Sequence, residues 1–124
     1  MERLFLIMGS LSAFFAVALG AFGAHGLRNR LSLEMLNAFE VGVRYQLIHA
    51  IALLAVAWAG TRWPTTLVAA AGWLFLAGTI VFSGSLYLLS LTGQRWLGAI
   101  TPIGGTAFLG GWLCLAWGVW RYPS

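Results

Sequence analysis

Residues 67–91 read LVAAAGWLFLAGTIVFSGSLYLLSL, an unbroken stretch without a charged side chain. A bilayer core about 30 Å thick is crossed by about 20 apolar residues in a helix, so this stretch is long enough to span it. Three more stretches meet that length: about 4–24, 41–59 and 97–120, the last starting at Leu97 or at Pro102. A chain of 124 residues has room for one domain, and four spans leave little else. The reading is all-α: residues 1–124 form a single transmembrane domain, an integral membrane up-down-up-down four-helix bundle.

Composition agrees with this. The chain is 60% hydrophobic and 8% charged, whereas soluble domains run near 25% charged, so most of its surface is built to face lipid. All its basic residues are arginines (Arg3, Arg28, Arg30, Arg44, Arg62, Arg95, Arg121), and its acids are Glu2, Glu34 and Glu40. The basic isoelectric point therefore reflects a shortage of acids. Nucleic-acid binding needs a clustered basic face; arginines isolated between apolar stretches instead anchor helices among headgroups. Cys114 stands alone, so no internal disulfide forms and the redox compartment is not read from it. The first stretch, with Arg3 ahead of it and Ala21-Phe22-Gly23-Ala24 at its end, also has the look of a secretory signal. Its apolar run is longer than a usual signal core, so it is expected to stay as the first span.

The only sizeable polar connection is His25 to Glu40. Ser32 can cap a helix whose first turn holds Glu34, and Leu36, Phe39, Val43 and Leu47 recur at steps of three and four. One helix is expected from about Leu33 to Ala59, with residues 33–40 lying in the interface. Its other face carries Asn37, Glu40 and Arg44, and the last two are spaced to pair. The remaining links, Gly60 to Thr66 and Thr92 to Trp96, are short and force antiparallel neighbours. Both termini and the 60–66 loop then lie on one side, A; the other two connections lie on side B. Side A holds Arg3, Arg62 and Arg121, and side B holds Arg28, Arg30, Arg95 and Arg44 near the boundary, which leans only weakly toward a cytoplasmic side B. Trp58, Trp63, Trp117 and Trp120 gather at side A and Trp96 marks side B, as interface belts do.

Hiding apolar surface drives helices together only weakly in lipid, so close contact between small residues carries much of the association. Gly104, Ala107, Gly111, Cys114 and Gly118 form such a stripe on the fourth span, and Gly9, Ala13, Ala16, Gly20 and Ala24 form one on the first. The partner of each stripe is expected within the chain, a second copy being the alternative.

Polar groups inside a bilayer are costly, and where they gather is the best functional signal a membrane sequence offers. Here they gather toward side B: Arg44, Tyr45, Gln46 and His49 on the second span, Ser83, Ser85, Tyr87 and Ser90 on the third, Thr101 at the start of the fourth, and His25 at the end of the first. Thr79, Ser83, Tyr87 and Ser90 follow one helical stripe. A polar cavity would satisfy them all, and so would an interhelical hydrogen-bond cluster that fixes register. A third use is a docking surface for another membrane subunit. No metal site is expected, since only two histidines exist and neither has an acid or thiol spaced with it; bis-histidine haem ligation by His25 and His49 would need a helix-end and a deep histidine at one depth. In Thr101-Pro102-Ile103-Gly104-Gly105, proline suits a first helical turn and Thr101 can cap it; the glycines expose amides at a positive helix end, where an anion could sit or Gly104 could pack closely. No nucleophile, base and orienting acid assemble, so no catalytic residue is assigned.

Gly20-Ala21-Phe22-Gly23-Ala24-His25-Gly26, Tyr45-Gln46 with His49-Ala50, Phe82-Ser83-Gly84-Ser85-Leu86-Tyr87, and Thr101-Pro102-Ile103-Gly104-Gly105 with Gly111-Trp112 occur in that order. In these motifs the chain resembles the YgdD/YwdK-like family of small four-span membrane proteins, which includes a mitochondrial relative. The resemblance covers nearly the whole chain and implies a fold and a membrane location, with no catalytic role attached. The functional expectation is a non-enzymatic protein of the membrane, in bacteria the inner membrane, without cofactor, that binds a lipid, a small ligand or a partner subunit through the side-B polar groups Arg44, Tyr45, Gln46, His49, Ser83, Ser85, Tyr87, Thr101, Gly104 and His25. The alternatives are a small transporter or channel working as a homo-oligomer, and an accessory subunit of a respiratory or photosynthetic complex.

Overall fold

The computed structural model describes residues 1–124 and consists of helices and their connecting turns. Helix α1 (Glu2–Phe22) ends in a π-helical turn, Gly23–Leu27. Helix α2 (Leu33–Arg62) follows, then α3 (Thr66–Gly78), a second π-turn over Thr79–Ser83 and α4 (Gly84–Thr92), which together make one continuous rod. A 3-10 turn, Arg95–Ala99, leads into α5 (Thr101–Trp120). The four rods are 26, 30, 27 and 26 residues long, and each is apolar enough to cross a membrane. The molecule is a multi-pass, all-helical membrane protein.

Local chemistry sets the ends. Ser32 Oγ accepts the Met35 amide at 3.2 Å to open α2, and Thr65 Oγ1 accepts the Val68 amide at 3.1 Å to open α3, each meeting a donor the helix itself leaves free. Helix α4 stops at Gly93, whose φ of +74° suits a residue without a Cβ. Thr101 does not cap α5 as expected. The 3-10 turn runs directly into α5 and meets its early amides with backbone carbonyls, Ile100 N–H to Leu97 O and Ile103 N–H to Ile100 O, both at 3.0 Å, which leaves the Thr101 hydroxyl for another helix.

Helix α1 lies along α2, and α5 lies along α3 and the π-turn after it, while α1 and α5 have no substantial contact. Phe5 of α1 also reaches Trp73 of α3, with ring centroids 5.3 Å apart, and His49 of α2 reaches Phe108 of α5. In section the bundle is thus a rhombus with α2 and the α3–α4 rod across its short diagonal. Burial follows: 44% and 33% of the apolar windows of those two rods are buried, against 17% for each outer rod.

The small-residue stripes face inward except at Ala24, which is exposed where the first rod passes into its π-turn. A Cβ at Gly9 would lie 2.8 Å from the Ala50 carbonyl of α2, and one at Gly104 would collide with the Phe82 backbone. Ala16 and Gly111 are buried and Ala13, Gly20 and Ala107 half-buried along the same seams, with Gly118 closing on Leu67 and Val68. The side-A half of the core is apolar, built from Phe5, Leu53, Val56, Val68, Ala71 and Phe75. At that end the Arg62 guanidinium stands 5.7 Å from the Trp63 ring and Arg121 stands 5.7 Å from Trp117, a cation and belt arrangement suited to headgroups.

At side B, Arg95 donates to both carboxylate oxygens of Glu34, at 2.7 and 3.2 Å, and ties the start of α2 to the turn before α5. The hydrogen bond and charge of Arg95 hold the Glu34 carboxyl below its ordinary pKa, and Arg95 is raised in turn. The expected Glu40–Arg44 pair does not form: the ion pairs present are Glu34–Arg95 and the N-terminal amine with Glu2. Glu40 and Arg44 are both exposed, where holding two long side chains together costs about what the pair would gain.

Candidate functional site

Most of the polar residues of the spans come together as hydrogen-bonded networks between helices. In the first network Gln46 is the hub. Its Nε2 donates to the Ser12 carbonyl of α1 at 2.9 Å, and its Oε1 accepts the Tyr87 hydroxyl of α4 at 2.6 Å. One side chain on α2 thereby joins the rods on either side of it. Ser83 adds a second tie, donating to the Gly42 carbonyl of α2 at 2.7 Å, and the Tyr87 ring rests on Phe39 with centroids 5.1 Å apart.

The second network centres on His49, which is buried. Trp112 Nε1 lies 3.0 Å from His49 Nε2, and His49 Nδ1 lies 2.8 Å from the Tyr45 carbonyl. An indole N–H only donates, so Nε2 is the acceptor; a carbonyl only accepts, so Nδ1 carries the proton. Both ring nitrogens of a neutral imidazole are used, and the ring lies flat on Phe108, 7° from parallel with centroids 3.5 Å apart. No lone pair is left for a metal or haem iron. A third, smaller tie joins α4 to α5: Ser85 Oγ lies 2.5 Å from Thr101 Oγ1. Gly104, one turn further along α5, brings the backbone close enough for that bond.

Two candidates stay outside. His25 sits exposed in the π-turn at the end of the first rod, and Arg44 is exposed on the outer face of α2; neither meets the networks. Tyr45 is 38% exposed and offers its ring to Phe82 at 4.7 Å and its carbonyl to His49. Thr79, expected on a stripe with Ser83, opens the π-turn instead, and its Oγ1 is buried without a partner. The extra residue of a π-turn offsets the positions on either side of it.

Sequence reasoning missed the partners that satisfy these groups. Trp112 carried a signal as half of the Gly111-Trp112 motif, but no role. The Ser12 carbonyl carried none. It also missed a cleft of about 380 Å³ at side B, lined by Arg28, Leu31, Leu33, Leu36, Asn37 and Glu40, though the sequence puts Asn37 and Glu40 together on the polar face of α2. Three further cavities lie at side A. The largest, about 620 Å³, is an apolar groove between α3 and α5 lined by Leu67, Leu113, Cys114, Ala116, Trp117 and Trp120. None of these four is lined by Gln46, His49, Ser83, Tyr87 or Thr101.

Comparison with known proteins follows the same outline. Residues 19–105 match the family described as "Protein of unknown function (DUF423)". The chain is 47% identical to UPF0382 membrane protein SSP2132 of Staphylococcus saprophyticus over 121 residues, which cover 96% of this chain and 98% of that one. It is 43% identical to UPF0382 membrane protein YwdK of Bacillus subtilis, covering 97% and 98%, and 43% identical to a UPF0382 membrane protein of Haemophilus influenzae, covering 100% and 99%. No solved structure matches the chain.

Proposed function

The chain belongs to this family of unknown function, whose Staphylococcus, Bacillus and Haemophilus relatives are named membrane proteins, and from that premise we propose that it is a non-enzymatic inner-membrane protein that binds membrane lipid at its side-B face. One observation carries the reading. The hydrogen-bonding groups of Gln46, His49, Ser83, Ser85 and Tyr87 are engaged by neighbouring helices or by carbonyls, so recognition falls to the charged groups the fold leaves unpaired at the membrane boundary. In this reading the polar networks hold the four rods in register, each bond worth about 0.6 kcal/mol, and keep the side-B end rigid.

Transport is the rival. A pathway must continue through the membrane, and the side-A half opposite the networks is closed by Phe5, Val56, Val68 and Phe75, which disfavours transport through a single copy. Purification in a mild detergent, followed by lipid extraction, tests the proposal. Phospholipid retained in near-stoichiometric amount, above that held by an unrelated four-span protein, is the expected result. Proteoliposome flux that disappears in His49→Phe or Tyr87→Phe would replace lipid binding with transport. Recovery of one constant membrane complex from native membranes would replace it with an accessory-subunit role.

A further inference from the structure

We propose that the side-B cleft is a headgroup site for a phospholipid bearing a primary ammonium, phosphatidylethanolamine; this rests on the lipid-binding reading above and names its chemistry. The cleft lies at headgroup depth, between the turn that follows the first rod and the first two turns of α2, and its volume of about 380 Å³ is in the range of small-ligand sites, roughly 300–1,000 Å³. Arg28 stands on one wall. Asn37 and Glu40, three apart and so on one helix face, stand on the other. Leu31, Leu33 and Leu36 complete the lining, with Leu33 83% exposed.

The charges decide the class. Arg28 has no acid within ion-pair distance and Glu40 has no cation, the nearby Glu34 being taken by Arg95. A cation and an anion that flank one cleft without neutralising each other complement a zwitterion. Guanidinium geometry suits the phosphate. The Glu40 carboxylate and the Asn37 amide oxygen are acceptors, which an ammonium with three N–H donors can satisfy. A choline headgroup has no N–H to give them and is held elsewhere by aromatic cages; no aromatic side chain lines this cleft. A glycerol headgroup brings the phosphate and leaves the Glu40 charge uncompensated. The Arg28 turn is itself fixed, because the Arg30 and Leu31 amides both donate to the Leu27 carbonyl at 3.0 Å.

The test is native mass spectrometry of the full-length protein loaded with equimolar phosphatidylethanolamine, phosphatidylcholine and phosphatidylglycerol, compared with Glu40→Gln and Arg28→Gln. Both side chains are exposed, so the variants keep the fold, which size-exclusion profiles and helical circular dichroism verify. The expected result is retention of phosphatidylethanolamine over phosphatidylcholine by roughly fivefold, the weight of one solvent-reachable ion pair. Glu40→Gln removes that preference, and Arg28→Gln weakens phosphatidylethanolamine and phosphatidylglycerol alike. Selectivity that survives both substitutions overturns the site. Equal retention of all three lipids overturns the headgroup assignment while lipid binding stands; no retained lipid removes both. Displacement of the lipid by millimolar O-phosphoethanolamine would assign the cleft to a soluble ligand and overturn the lipid source.

Discussion

His49 shows how far one buried side chain can be read. Its place among the polar residues of the spans is legible in the sequence, because a histidine inside an apolar stretch must be satisfied by something. The donor is not legible: tryptophans of a membrane sequence read first as belt residues, and Trp112 lies 63 positions away. The pairing is tested by a double-mutant cycle. Trp112→Phe strips the donor from His49 Nε2, and His49→Phe leaves the indole N–H without an acceptor in hydrocarbon, each expected to cost about 1 kcal/mol of stability plus any packing loss. In the double variant neither orphan remains, so its loss should fall short of the sum of the single losses by about 0.6 kcal/mol or more. Strictly additive losses in detergent unfolding would show that the two rings do not exchange a hydrogen bond.

At the level of elements, the seams of α1 and α5 are plain in the sequence because small residues recur at helical spacing, and close approach needs nothing else. The π-turn at Thr79–Ser83 is not. Apolar and hydroxyl residues continue at helical spacing on either side of it, and its one local signal, the β-branched run Thr79-Ile80-Val81, lowers helix propensity only slightly. Its function in the fold is to absorb one extra residue so that Gly78 can meet Phe108 while Ser83 still meets Gly42. Such turns behave as single-residue insertions into an α-helix. Removal of Ile80, which is 72% exposed, should therefore convert the segment to regular helix and keep both contacts. Removal of Leu76 from the interior of α3 turns Ala77 and Gly78 by about 100° whether or not the bulge closes behind them, so Gly78 leaves Phe108 and the seam between α3 and α5 opens. Thermal melts in detergent are expected to show the Ile80 deletion within about 1 kcal/mol of the parent and the Leu76 deletion grossly destabilised. Equal damage from the two would remove this account of the turn.

Across the whole molecule, four spans and their alternating directions follow from sequence because hydrocarbon admits few other arrangements. The rhombic section does not: α1 and α5 carry equivalent stripes, and nothing in their spacing says that each packs on a different inner rod. The Glu34–Arg95 tie, between groups 61 residues apart, is equally unreadable, since it depends on how the two hairpins settle side by side. That tie gives the bundle a defined response to acid. The folded carboxyl of Glu34 is held below its ordinary pKa by the hydrogen bond and charge of Arg95, so its contribution is fully present above the unfolded-state value, about 4.3, and is lost as pH falls through the lower folded value. Both groups are exposed, so the effect is modest and screened by salt. In low salt the parent should therefore be more stable than Glu34→Gln at pH 7, the gap should close on acidification below about pH 4, and high salt should narrow it at neutral pH. A gap that widens in acid would mean that the carboxylate is tolerated at this position, not used, and that the two hairpins are held together by the buried networks alone.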